Sequence, residues 1–196
     1  DGGLLVMGAN ILVMGVVPGF LAWAIYRFSL RASGRAAAFL GGLAAWLSVM
    51  AAALVVSLLL AFSGTSSLQI VLPAMLGVHA LIGLGEALIT VAALGFIRRV
   101  RPALLAEGAS AGRGGWVVAG LAVALLLVLL APFASGHPDG LEWVASTTGF
   151  LGAAQEAPYS VLPGYTVPFL GATPLSTIVA GSVGVLLVAG LVVAAA

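Results

Sequence analysis

The chain predicts an all-α integral membrane protein, a helical bundle of about five transmembrane helices with a proline-rich extracytoplasmic segment. Three observations carry that expectation. Of its 196 residues 62% are hydrophobic and 7% charged, whereas a water-facing surface normally needs roughly a quarter to a third of its positions charged. Apolar runs of about 20 residues recur, the length at which a helix crosses a ~30 Å hydrocarbon core, and an open strand cannot cross because lipid offers its backbone groups no partners. The seven basic residues are all arginine and fall in two clusters, Arg27, Arg31 and Arg35, then Arg98, Arg99, Arg101 and Arg113. Loops with such an arginine excess stay on the cytoplasmic side, so both clusters lie inside and the intervening loops outside.

The first span runs from about Leu4 to Tyr26. Pro18 lies within it and predicts a kink, because proline removes a backbone donor. Asn10 is its buried polar residue, placed for an interhelical hydrogen bond or for contact with a substrate. Met7 and Met14 share a face, which fits packing and is too little for a soft-metal site. The second span covers Ala36 to Phe62 and the third Ile70 to Ile97, with Pro73 expected in a first helical turn. Small residues recur every four positions, as Gly15 and Gly19, as Ala37, Gly41 and Ala45, and as Gly83 and Ala87. Such faces let helices approach closely within one bundle, or dock a separate membrane subunit.

After the third span comes RPALLAEGASAGRGG, rich in glycine and alanine without apolar periodicity, a cytoplasmic linker. Trp116 to Leu130 is the shortest span unless residues 131–133 prolong it, and Ser176 to Ala195 is the last. Between them six of the nine prolines fall from Pro132 to Pro174. That density opposes both regular helix and central strand, and Trp143, Tyr159 and Tyr165 supply interfacial aromatics. LEWVAS fits one short amphipathic turn with Leu141, Val144 and Ala145 on one face, in an ordered cap lying on the membrane. His137, Asp139 and Glu142 crowd the same stretch, a solvated cluster or a point of external divalent capture. The division expected is 1–100 for a three-helix membrane domain, 101–115 for the linker and 116–196 for a two-helix domain with the external segment. With Asp1 at its start and no charged leader, the chain reads as the C-terminal part of a longer protein.

Within the third span Met75, His79, Ile82 and Glu86 fall on one narrow stripe at 100° per residue, and Thr90 continues it. A carboxylate in the bilayer core costs roughly 2.5 to 3.5 kcal/mol on insertion scales, so this stripe faces protein or water. His79 and Glu86 are about 10 Å apart along the helix, too far to chelate one ion jointly when each ligand atom must reach about 2 Å. Three roles stand open: separately hydrogen-bonded groups that lock the bundle, the lining of a metal path together with Asn10 and Thr90, or a direct ligand role for His79.

DGGLLVMGANILVMGVV with GVHALIGLGEALIT resembles the C-terminal half of the CbiM/NikM family, the substrate-capture components of cobalt and nickel energy-coupling-factor transporters. HPDGLEWVASTTGF with PYSVLPGYTVPFLG resembles the PDGLE domain, the small accessory component often fused to the capture subunit, with Pro138, Asp139, Gly140, Leu141 and Glu142 as its motif. The resemblance implies a multi-pass component of the cell membrane that takes up Co²⁺ or Ni²⁺, in one setting for cobalamin biosynthesis. It implies as partners a transmembrane coupling subunit and ATPase subunits, besides membrane lipid and an N-terminal part of the same protein. The family binds its ion through an N-terminal methionine-histidine segment and a histidine in a glycine-rich stretch, neither present in this sequence. No metal ligand is therefore assignable, and no permanently bound cofactor is expected.

Other classes fit less well. The chain has no cysteine, which removes disulfides, thiolate metal sites and thiol nucleophiles. No GxxxxGK[ST] occurs, so ATP hydrolysis falls to partners. An intramembrane metal-dependent enzyme lacks its HExxH pair, since His79 is followed by Ala80. A structural membrane subunit remains an alternative, and no basic nucleic-acid footprint is present.

Overall fold

The computed structural model describes residues 6–29, 34–100, 113–134, 136–155, 162, 164 and 166–195. They form α-helices α1 (Met7–Asn10), α2 (Val17–Ser29), α3 (Gly34–Phe62), α4 (Leu68–Val100), α5 (Arg113–Leu130), α6 (Gly140–Thr148) and α7 (Pro174–Ala195). Short 3₁₀ turns follow α5 at Ala131–Phe133 and α6 at Leu151–Ala153. No strand occurs among the described residues, and the protein is an all-α membrane bundle. Four helical stretches are long and apolar enough to cross a membrane, Met7–Ile25, Ala36–Phe62, Leu68–Val100 and Pro174–Ala194, and Gly120–Phe133 is a shorter apolar helix. The fourth of the five expected spans, Trp116 to Leu130, is the one that falls short of a membrane-crossing length, even with the 3₁₀ turn that follows it.

The chain separates into two compact units, Asp1–Ala106 with Pro138–Ala157, and Glu107–His137 with Pro158–Ala196. Residues 138–157, which the sequence division puts with the second domain, therefore group with the first three spans. Their physical reason is the apolar face of α6, described below.

In the first unit α1 and α2 are joined by a π-helical stretch, Ile11–Val16. Val17 N–H donates to the Leu12 carbonyl five residues back. The wider turn leads directly into Pro18, whose missing N–H would otherwise leave a gap in an α-helical ladder. The expected disturbance at Pro18 is therefore spread over the six residues before it. Further along α2, Trp23 lies 5.6 Å from Phe20 between ring centroids, and the Arg27 guanidinium sits 5.3 Å over the Trp23 ring.

Pro73 departs from expectation. Because α4 starts at Leu68, Pro73 lies inside the helix rather than in its first turn. Ile70 and Val71 N–H both donate to the Ser67 carbonyl, which starts the helix earlier than the apolar run alone implies.

The seam between α3 and α4 is the tightest packing in this unit. A Cβ on Gly41 would lie 2.7 Å from Leu94 Cδ1, one on Gly42 would lie 2.7 Å from Val91 Cγ2, and one on Gly83 would lie 3.0 Å from Trp46 Cδ1. Lipid supplies no hydrophobic force between helices, so such close approach replaces it with dispersion contact. Trp46 Nε1 adds a hydrogen bond to the Ala80 carbonyl at 3.1 Å, and Arg98 Nη1 reaches the Gly34 carbonyl at 3.0 Å. These contacts fix the register of the two helices from the start of α3 to its middle, against Ala80 to Arg98 of α4. Gly15 and Gly19, by contrast, have open space where a Cβ would stand. Helix α2 packs on α3, where Ser48 Oγ donates to the Pro18 carbonyl at 3.4 Å, and it makes no packing contact with α4.

In the second unit α5 packs on α7, where a Cβ on Gly181 would lie 3.0 Å from Val128 Cγ1. Thr173 Oγ1 accepts from Ser176 N–H at 3.2 Å, capping the start of α7. The buried Ser176 Oγ in turn accepts from Val167 N–H at 2.6 Å, which ties the preceding loop to the helix.

Candidate functional site

Helix α4 has 33 residues, about 50 Å at 1.5 Å per residue, and so exceeds the ~30 Å hydrocarbon core. Arg98 and Arg99 in its last turn mark one interface. Nineteen residues back, about 28 Å away, stands His79, near the opposite boundary, while Glu86 is about 18 Å from Arg98 and lies in the core. The two polar groups of the stripe thus occupy different surroundings.

Around His79 the stripe is covered by α6. Asp139 caps that helix, its Oδ1 accepting from Glu142 N–H at 2.8 Å. Gly149 closes it in the left-handed region at φ 88°, where glycine is favoured. Gly149 and Phe150 N–H both donate to the Ala145 carbonyl, and this turn returns Phe150 to the packed cluster. Between the caps, Val144 and Ala145 are buried, and Val144 joins Ala53 of α3 with Val71 and Met75 of α4 in one core. The expected amphipathic turn is thus a regular helix of nine residues, against the expectation that the prolines exclude one, and of its expected apolar face Val144 and Ala145 are buried while Leu141 stays exposed. Its apolar face packs on α4 and not on lipid, where Val144 enters the cluster of Val71 and Met75 that Ala53 of α3 completes.

The first residue of α6 makes the closest approach. A Cβ on Gly140 would lie 2.9 Å from Cε1 and 3.2 Å from Nε2 of His79, and 3.0 Å from Cδ1 of Ile82. Only a residue without a side chain seats there undisturbed. His79 Nδ1 lies 2.8 Å from the Met75 carbonyl oxygen. The PDGLE motif and the third span, singled out separately in the sequence, thus meet at Gly140 and His79. Nothing in either segment alone announces that meeting.

The lower part of the stripe is open. Glu86 is exposed and has no hydrogen bond or ion pair among the described residues, and Thr90 is half-buried. Asn10 is also exposed on α1, with no side-chain hydrogen bond among the described residues, against the expected interhelical bond. Because α1 and α2 make no packing contact with α4, Asn10 is not brought to His79 or Glu86. Among the described residues no three His, Asp or Glu side chains gather as a metal-binding group. Ser57, buried with its Oγ on the Ala53 carbonyl at 2.7 Å, and Trp46 were not singled out from the sequence. A signal for Trp46 was present, since an indole N–H inside an apolar span needs an acceptor.

Helices of this length and composition around a polar stripe define a multi-pass membrane protein. Residues 1–104 match the CbiM family, described as the cobalt uptake substrate-specific transmembrane region, and the chain belongs to that family. Residues 114–196 match the PDGLE domain. The chain is 33% identical over 198 residues to a protein of Archaeoglobus fulgidus that bears the name fused nickel transport protein NikMN, covering 97% of this chain and 64% of that one. It is 31% identical over 107 residues to a metal transport protein, so named, of Haloquadratum walsbyi, covering 54% of this chain and 48% of that one. An uncharacterized protein of Methanothermobacter thermautotrophicus is 39% identical over 74 residues, 37% of this chain and 70% of that one. The chain therefore spans less than two thirds of the length of the first two relatives. No solved structure matches.

Proposed function

We propose that this chain is a membrane component of a cobalt or nickel uptake transporter, a capture module of the CbiM type joined to its PDGLE accessory module. The observation that carries this reading is the order of the two matches on one chain, 1–104 then 114–196, in a sequence alignable over nearly its whole length with the fused nickel relative. Co²⁺ or Ni²⁺ is then cargo and not a resident cofactor. Energy comes from partner subunits of the energy-coupling-factor type, a membrane coupling protein and ATPases, since the sequence carries no phosphate-binding loop. The arginine clusters orient the assembly with Arg27, Arg98 and Arg99 inside and α6 outside, where ions arrive.

The test is accumulation of radioactive Ni²⁺ and Co²⁺ by cells that express the full coding sequence with its coupling and ATPase partners. Uptake at limiting metal should require all components and vanish when the ATPase is disabled; accumulation indifferent to the ATPase would remove the proposed energy source. Orientation has its own check, helped by the absence of cysteine from these 196 residues. A cysteine at Ser146 should react with an impermeant thiol reagent in intact cells and one at Val100 should not. The reverse pattern would turn the arrangement inside out.

A further inference from the structure

The imidazole of His79 is anchored along one edge and covered along the other. A carbonyl oxygen only accepts, so the 2.8 Å contact with Met75 places a hydrogen on Nδ1, and in the neutral ring the lone pair belongs to Nε2. Neutral imidazole nitrogen is the commonest metal ligand in proteins, and a second nitrogen bound to a backbone carbonyl is what orients such a ligand. Here the Nε2 edge is pressed by Gly140, with no room for even one more carbon between them. An ion cannot reach Nε2 on that side while α6 is seated.

The seat is also narrow. Helix α6 has nine residues, of which Val144 and Ala145 alone are fully buried, and the chain on either side of residues 138–157 belongs to the other compact unit. A short element held by so small a patch opens at lower free energy than the long helices below it.

We propose that Nε2 of His79 is a transient binding point for a divalent cation of the nickel or cobalt kind, and that α6 is a lid whose closure and the cation's binding exclude one another at Gly140. This rests on the reading that such a cation is the cargo. One imidazole completed by water holds an ion weakly, which suits a group that must pass it on. Because the two events compete for one edge of the ring, linkage makes the effect reciprocal: metal loosens the lid, and a loosened lid tightens metal binding.

Backbone hydrogen exchange of α6 in the purified full chain reads this directly, with NiCl₂ in the millimolar range as the probe and MgCl₂ as the control. Ni²⁺ should speed exchange of the amides of residues 140–148 roughly threefold or more while Mg²⁺ does not. The acceleration should disappear in His79→Gln and persist in His137→Gln. Gly140→Ala should speed exchange without metal, and the double variant Gly140→Ala/His79→Ala should return it part of the way toward the original rate, since the ring that collides with the new methyl group is gone while Ile82 Cδ1 remains beside it. An α6 that ignores Ni²⁺, a Ni²⁺ effect that survives His79→Gln, or a Gly140→Ala chain that exchanges like the original would each overturn the lid. Uptake measured in parallel separates the two readings: uptake with an unresponsive α6 removes the lid and leaves transport standing, whereas a responsive α6 without uptake does the opposite.

Discussion

The two halves of the α4 stripe carry similar chemistry in opposite settings. Toward the start of the helix, Met75, His79 and Ile82 lie under α6, with the imidazole bonded to its own backbone and touched by Gly140. One to two turns further, Glu86 presents a carboxylate to an open face. The covered half is complete within this chain. The open half calls for protein or water against it, because a carboxylate at that depth costs roughly 2.5 to 3.5 kcal/mol against lipid. Polar residues at helical spacing thus need not form one functional unit; what covers each of them decides its role.

The largest effect is expected where the covered half is broken. Val144→Asp introduces a carboxylate at a position with 0% exposure in the cluster with Val71 and Met75. Leaving such a charge unpaired costs on the order of 3 to 5 kcal/mol, so α6 should come away while α3 and α4 stay paired. Hydrogen exchange that rises in residues 140–148 but not along α3 would bear this out, and a collapse of both would show that α6 is integral to the bundle.

The open half gives a smaller, conditional effect. Compared with Ile89→Leu on the same exposed surface, Glu86→Leu should leave the thermal stability of the purified chain unchanged or slightly raised, since no partner of Glu86 is lost. In the assembled transporter the same change should cost about 1 to 3 kcal/mol by orphaning whatever donor meets the carboxylate. Equal behaviour of both variants in both settings would mean that Glu86 has no partner anywhere.

Smallest is the cap. Asp139→Ala removes the acceptor of Glu142 N–H and should weaken α6 by about 1 kcal/mol, with Asp139→Asn retaining most of the stability. Exchange at the first turn of α6 is the measurement. A loss as large as that of Val144→Asp would shift the weight of the covered half from apolar packing to the cap.

Much of the fold was legible in the sequence, for reasons that are local. The length of an apolar run and the placement of arginines report a crossing directly, and the all-α bundle follows from them. The stripe from Met75 to Thr90 was equally visible, since helical period depends on nothing beyond the helix. What escaped was contact between distant segments. The packing of α6 on α4 depends on a fit at Gly140 that neither partner encodes alone, and Asn10 drew an interhelical bond by type although it is exposed with no side-chain hydrogen bond among the described residues. The early start of α4, which puts Pro73 inside it, came from the Ser67 carbonyl, a backbone group that hydropathy does not register.

The stacking of Arg27 on Trp23 bears on the thickness of the membrane. With its guanidinium folded back 5.3 Å over the indole, the positive charge stands about one turn inside the point where an extended arginine would carry it. The sequence carries no charge from Gly2 to Tyr26, so this guanidinium is the first charge after the apolar run and its position sets where that run ends. In a thin bilayer the stack is preserved. In a thicker one a straightened side chain would carry the charge toward the headgroups and off the ring, which gives this first crossing the reach of one side chain with which to meet hydrophobic mismatch.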